Sequence, residues 1–158
     1  FLAIPAILMA NNSTNSIAIS ELIGVGLWAT WFVLEHISDL QKQQFLKKAF
    51  LEKKKKQVCN VGFWKYTRHP NYFSEWMVWN AMIIASLSSL IIAFSTDQQV
   101  VWIIIVVGLF YISYIMYTTL VYYTGAVPSE FYTLQKRPNY KAYQEQTNMF
   151  FPGPKKLN

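Results

Sequence analysis

The chain has 158 residues, of which 53% are hydrophobic and only 14% charged, with a net charge of +6. So low a charged fraction argues against a water-soluble domain, and the Lys and Arg lie between apolar runs, as in membrane-protein loops, rather than in a nucleic-acid-binding patch. One cysteine, Cys59, excludes an internal disulfide, and one cysteine with two histidines is too few for a metal site.

Residues 1–10 are apolar but too short to span a bilayer alone. They are expected to be the tail of a longer helix or a helix at the surface. The start at Phe1 rather than Met implies that a targeting segment, a pro-region or more was removed upstream. Residues 11–15 read as an outer loop carrying two glycosylation triplets, Asn11-Asn12-Ser13 and Asn12-Ser13-Thr14, a pattern common by chance.

A spanning helix needs about 20 mostly apolar residues. Three runs qualify: 16–36, 72–94 and 100–124. Lipid offers no partner for backbone N–H and C=O groups, so these runs are predicted to be helices. The third is rich in Val, Ile and Tyr, but it is too long for a strand. The expected fold is therefore all-α: a polytopic transmembrane helix bundle with an N-terminal apolar segment and a short, partly helical tail.

Charge sets the predicted topology. Nine of the fourteen Lys and Arg lie in the loop 37–71, five follow residue 124, and the turn 95–99 holds none. The positive-inside rule puts the 37–71 loop and the 125–158 tail on one side, cytosolic or matrix-like. Endoplasmic reticulum, bacterial inner membrane and mitochondrial inner membrane fit equally. In the tail, residues 130–135 can begin a helix that Arg137-Pro138 interrupts, 141–146 can form another turn or two, and Pro152 and Pro154 end regular structure.

Three constellations carry ionisable groups. Glu35 and Asp39 are spaced i, i+4 at the inner end of the first span, with Lys42 further along that face. The plainer reading is a solvated helix end. Next come Lys65, Tyr66, Arg68, His69, Pro70, Asn71, Tyr72 and Glu75. Pro70 is placed to start a helix, Asn71 and Glu75 share its face, and Arg68 and His69 precede its positive end. An ionisable residue at membrane depth is a functional candidate, although pairing of Glu75 with Arg68 or a Lys would explain it equally. The third group is Glu130, Arg137, Tyr140, Tyr143 and Thr147, polar and aromatic side chains suited to the head-group level. Lys47, Lys48 and Lys53 to Lys56 form a basic patch suited to anionic lipid heads or to steering a polyphosphate ligand. His36 and Cys59 have no evident chemical role, and Glu21 is the only acid in residues 1–34.

The stretch Glu35-x-x-x-Asp39-x-Gln41-Lys42-x-x-Phe45, followed by Gly62-Phe63-Trp64-x-Tyr66-x-Arg68-His69-Pro70-Asn71-Tyr72-Phe73-x-Glu75, resembles the steroid 5-alpha-reductase-like membrane proteins, in the branch described as having a reductase C-terminal-like domain. The tail agrees, with Gly125-x-x-Pro128-x-Glu130, Arg137-Pro138-x-Tyr140-x-x-Tyr143, Thr147 and Phe151-Pro152-x-Pro154. The resemblance runs over residues 24–154; Ser74 stands where the family usually has glycine. It implies an NADPH pocket on the inner side of the membrane. In it Glu35 and Asp39 would contact the ribose or nicotinamide, Arg68, Asn71 and Glu75 would hold phosphates and the nicotinamide amide, and His69 and Tyr72 would be among the cofactor-binding residues. Tyr140 and Tyr143 would help close it. The family's substrate-polarising acid and tyrosine lie upstream of the matched region, so catalytic residues are not assigned. If active, the protein would reduce a C=C bond in a lipid or steroid-like molecule.

Two alternatives remain open: a non-catalytic accessory subunit without cofactor in a larger membrane assembly, and a methyltransferase holding S-adenosylmethionine on a similar Arg-His-Pro motif. The expected partners are the lipid bilayer and other membrane chains, not nucleic acid.

Overall fold

A computed structural model describes residues 2–12, 16–54, 56–94 and 98–156. Both glycosylation triplets and most of the 95–99 turn fall partly outside them. The described residues are helical throughout apart from loops, and they form no strand. In chain order the elements are α1 (Ile4–Ala10), α2 (Ile19–Leu51), a 3-10 turn (Gly62–Lys65), α3 (Pro70–Ile92), α4 (Gln99–Thr118), a π-helix (Thr119–Tyr123), α5 (Ala126–Lys136) and α6 (Tyr140–Gln146).

The expected runs become helices, with shifted ends. α2 continues past residue 36 through the first fifteen residues of the basic loop and stops at Leu51. Its C-terminal part is rich in Gln, Lys and Leu, good helix formers that continue a helix outside an apolar environment. α3 starts at Pro70, whose fixed φ and missing N–H suit a first turn. Among the described residues, two helices are long and apolar enough to cross a membrane: Pro70–Ile92, and the run beginning at Gln99. α2 covers the first predicted span but carries Glu21, Glu35 and Asp39.

The chain divides into two units. The first comprises residues 1–32 and 76–117. Its core is Leu8, Leu90, Leu109 and Ile112, with Trp79, Ile83, Trp102 and Met116 packed against them. Gly24 of α2 lies directly against Ala85 of α3, leaving no room for a Cβ. Close to that contact Ser20 Oγ donates to Ser88 Oγ at 2.7 Å and accepts the Ser88 N–H at 3.1 Å. Small residues allow helix backbones to approach, and paired hydroxyls cross-link them where water is absent. Between α3 and α4, Ser113 Oγ donates to Asn80 Oδ1 at 2.8 Å and Trp76 Nε1 donates to the Ser113 carbonyl at 3.0 Å. One side of α4 exposes Val100, Ile103, Ile104, Val107 and Phe110, an apolar band suited to lipid. Glu21 caps α2, accepting the Ala18 N–H at 3.0 Å and an Asn12 amide N–H at 3.3 Å. It is a helix-start residue.

The second unit comprises residues 33–75 and 118–158. In the π-helix the Thr124 N–H reaches the carbonyl of Thr119 at 3.0 Å, and Val121 is fully buried. Gly125 then turns the chain so tightly against the Leu120 carbonyl that a Cβ would collide with it. α5 starts directly afterwards.

Candidate functional site

The site belongs to the second unit and is built on the segment before α3. Gly62 adopts φ +52°, a left-handed conformation that favours glycine, and presses on the Gln41 side chain. Gln41 Oε1 accepts the Phe63 N–H at 2.9 Å, and Trp64 Nε1 donates to the Ser38 carbonyl at 2.9 Å. The 3-10 turn is thereby fixed to α2. Tyr143 of α6 donates its hydroxyl to the Trp64 carbonyl from the other side.

The tail backs the same segment. The Arg68 N–H donates to the Asn148 carbonyl at 2.9 Å, Thr67 Oγ1 lies 2.9 Å from the Phe150 carbonyl, and the Gly153 N–H reaches the Tyr66 carbonyl at 3.0 Å. Phe73 meets Phe150 and Phe151 edge-on. Residues 148–153 thus lie along residues 66–68 like a short strip without forming a sheet.

Arg68 and His69 point inward. Arg68 Nε and Nη2 make a bidentate ion pair with Glu130 of α5 at 2.7 and 3.1 Å. Its Nη1 donates to the carbonyls of Gln144, at 2.9 Å, and Thr147. His69 Nε2 lies 2.9 Å from Glu130 Oε1, and Gln144 donates to Oε2. Arg68, His69 and Glu130 are all buried. Burial pushes the Glu130 carboxyl up, but hydrogen bonds from His69, Arg68 and Gln144 outweigh it and hold its pKa at about 2. Burial lowers His69 more than Glu130 raises it, so the imidazole is neutral. Since the carboxylate only accepts, the Nε2 atom carries the proton. Tyr140 and Tyr143 are buried with this group, which raises both phenols and keeps them protonated.

Arg68, His69, Tyr140 and Tyr143 lie together in a closed clasp around Glu130. Four of the five guanidinium N–H groups of Arg68 already have acceptors, so the side chain that the sequence offered for a phosphate is engaged within the protein. The remaining predicted residues form a different cluster. Glu35 lies within the field of Glu75 and Asp39, and Glu75 and Tyr72 within that of Asp39, Tyr72 also within that of Glu75. None of the three carboxylates has an ion-pair partner among the described residues. Asn71 Oδ1 is buried and has no hydrogen-bond partner. A buried, unpaired carbonyl costs about 1–3 kcal/mol, so its persistence points to an absent donor.

Glu130 is the residue whose importance sequence reasoning undervalued. The only signal available was its place after Gly125 and Pro128 in a tail with few acids. Lys42 and Arg137 were similarly left without a role, although both come close to the clasp: Lys42 Nζ sits 4.4 Å above the Trp64 ring, and both residues line a small cavity with Cys59 and Tyr140.

A family model described as "Protein of unknown function (DUF1295)" matches residues 1–147. No curated protein and no solved structure matches the chain.

Proposed function

The chain belongs to the DUF1295 family, and from that premise we propose that it binds NADPH at the inner face of a membrane, as the reductase-like sequence motif suggests. The observation that carries this reading is the buried, partnerless Asn71 Oδ1, one turn before Glu75 on α3, whose carboxylate is within the field of Asp39. Carboxylates and an amide carbonyl are acceptors. They suit the ribose hydroxyls and carboxamide NH₂ of a nicotinamide nucleoside, and they repel phosphates. The set of acceptors therefore fits the nucleoside end of the cofactor.

When bound, the cofactor supplies a hydride to an activated double bond. The chain's own residues would orient it. Glu35 and Asp39 would accept hydrogen bonds from the sugar, and Asn71 and Glu75 would accept them from the carboxamide. The Arg68–Glu130–His69 clasp and the 3-10 turn fix Pro70 and hence the start of α3, so that Asn71 and Glu75 are held on one helix face. A site held rigidly by its supporting hydrogen bonds pays less to order itself on binding. This reading assigns cofactor binding and no substrate.

The test is purification in detergent, followed by mass spectrometry of co-purified small molecules and fluorescence titration with NADPH. The expected result is NADPH binding that Asn71→Ala and Glu75→Ala each weaken about tenfold or more, the loss of about 1.4 kcal/mol or more of binding energy. S-adenosylmethionine in place of NADPH would establish the methyltransferase reading. Neither ligand, with stable partner chains co-purifying, would establish an accessory subunit.

A further inference from the structure

The faces of α5 are reversed relative to those of a helix on a water-facing surface. The side turned to the protein carries Ala126 and Glu130, both buried, and Glu130 is only 6% exposed and saturated within the clasp. The side turned away carries Val127, Phe131 and Leu134, spaced i, i+4 and i+7, and Phe131 is 61% exposed. Tyr132 stands next to them, also exposed, with its ring edge-on to Phe131 at 5.6 Å. Apart from the Tyr132 phenol, the exposed polar side chains of α5 are Gln135 and Lys136, its last two positions. A contiguous apolar face of this kind is one for which water is the wrong neighbour.

The chain itself fixes the level at which this face sits. The apolar run that starts at Val100 ends at Tyr122 and Tyr123 of the π-helix, both exposed. Exposed tyrosines at the end of such a run mark the depth at which a membrane chain meets the head groups. Thr124 and Gly125 alone separate Tyr123 from α5, and the Gly125 turn is closed against the Leu120 carbonyl. α5 packs against the π-helix. Its first turn therefore begins at the head-group level, with no length of loop through which to leave it. The helix is about 16 Å long. Its polar end carries Lys136, and Lys141, also exposed, follows, so the cations of this segment match anionic lipid heads. Apolar on its outer side from the first turn, and polar only where it ends, α5 is suited to lie along the interface with Lys136 reaching back to the heads.

We infer that α5 is an interfacial anchor whose Val127, Phe131 and Leu134 face docks into the head-group boundary of the leaflet on the tail's side. The same short helix then holds Glu130 on one side and lipid on the other, so the clasp around Arg68 is seated directly on the bilayer surface. This anchoring is independent of which cofactor the site holds.

Site-directed spin labelling of the full chain tests it. Single variants Val127→Cys, Phe131→Cys, Leu134→Cys and Lys136→Cys, each in a Cys59→Ala background, are labelled and reconstituted into phosphatidylcholine–phosphatidylglycerol vesicles. Collisions with molecular oxygen, which concentrates among acyl chains, are compared with collisions with a neutral nickel chelate, which stays in water. Oxygen is expected to dominate at positions 127, 131 and 134, at a depth of about 5–10 Å. The order is expected to reverse at position 136. Dominance of the chelate at 131 and 134 would place the face in water. Immobile labels there, reached by neither reagent, would mean that another protein chain covers the face. Either result overturns the inference.

Where a labelled variant folds poorly, the wild-type chain supplies a second readout. In the same vesicles it is irradiated with a phosphatidylcholine that carries a diazirine near the head end of its acyl chain, and adducts are located by tandem mass spectrometry. Adducts are expected on α5 between Val127 and Leu134 as well as on the exposed band of α4. Their absence from α5 overturns the inference.

Discussion

At the level of single residues the decisive group is Glu130. It collects two hydrogen bonds from Arg68, one from His69 and one from Gln144 while buried from water. Such a carboxylate is tolerated only because it is saturated. Glu130→Gln removes the charge that Arg68 was matched to and is expected to destabilise the protein by about 3–5 kcal/mol, read as a lowered unfolding midpoint in detergent. Acidity acts on the same group through both of its titrating members. His69 has a folded pKa below the ordinary 6.5, so the unfolded chain takes up the proton first and stability falls as the pH drops below about 6.5. Glu130 is held at about 2 against an ordinary 4.5, so its contribution is complete above 4.5 and is lost as the pH falls towards 2. Wild-type stability should therefore decline in two stages on acidification, and Glu130→Gln should lack the lower one. An unfolding midpoint that stays level from pH 7 to pH 3 would contradict the clasp.

At the level of elements, sequence reasoning located the helices well and their relationships poorly. Apolar runs and Pro70 marked α3 and α4 because length and hydrophobicity are local properties. The end of α2 was missed because a lysine- and glutamine-rich helix outside lipid looks like a loop when apolarity is the only guide. The partner of Arg68 was not legible either. Glu130 is 62 residues away, and nothing in the local pattern shows that it folds back onto the motif. The residues lining the acceptor cluster, by contrast, were legible, since i, i+4 spacing on α2 and again on α3 places them on single faces. The glycines of α2 offer a test of the observed helix packing. A Cβ at Gly24 would meet the backbone and side chain of Ala85, whereas at Gly26 it would meet nothing within 4 Å. Gly24→Ala is expected to destabilise by about 1–3 kcal/mol through overpacking. Gly26→Ala should be neutral or stabilising by up to about 1 kcal/mol, because alanine is the better helix former. Equal effects on the unfolding midpoint would mean that α2 and α3 do not meet at Gly24.

At the level of the whole molecule, two apolar helices and an exposed aliphatic band on α4 agree with a membrane location. The distribution of charge adds a direction that the fold alone does not carry. All fourteen Lys and Arg lie in 37–71 or after 124, and none lies between α3 and α4. A cysteine at Lys54 should therefore be labelled by an impermeant maleimide only from the cytosolic or matrix-like side, and one at Gln98 only from the other, in a Cys59→Ala background. Labelling of both from one side would rule out a membrane-crossing α3. The strictly local part of the candidate site was readable in advance, and its acceptors needed only helix geometry. The clasp around Glu130 was not, because it depends on how the tail folds back onto the motif.

The strip formed by residues 148–153 has a consequence for the order in which the protein can be made. The backbone around Arg68 leaves the ribosome long before the residues that back it, since Thr67 and Phe150 are 83 positions apart. At about 5–20 residues per second, that separation is several seconds of elongation. Within that interval Glu130 follows Arg68 only after 62 positions, and the carbonyls of Gln144 and Thr147 after 76 and 79, so for most of it the guanidinium has none of its partners. The helices can enter the membrane in sequence, but the segment around Arg68 must wait, uncovered and open to surveillance, until the last of its partners arrives.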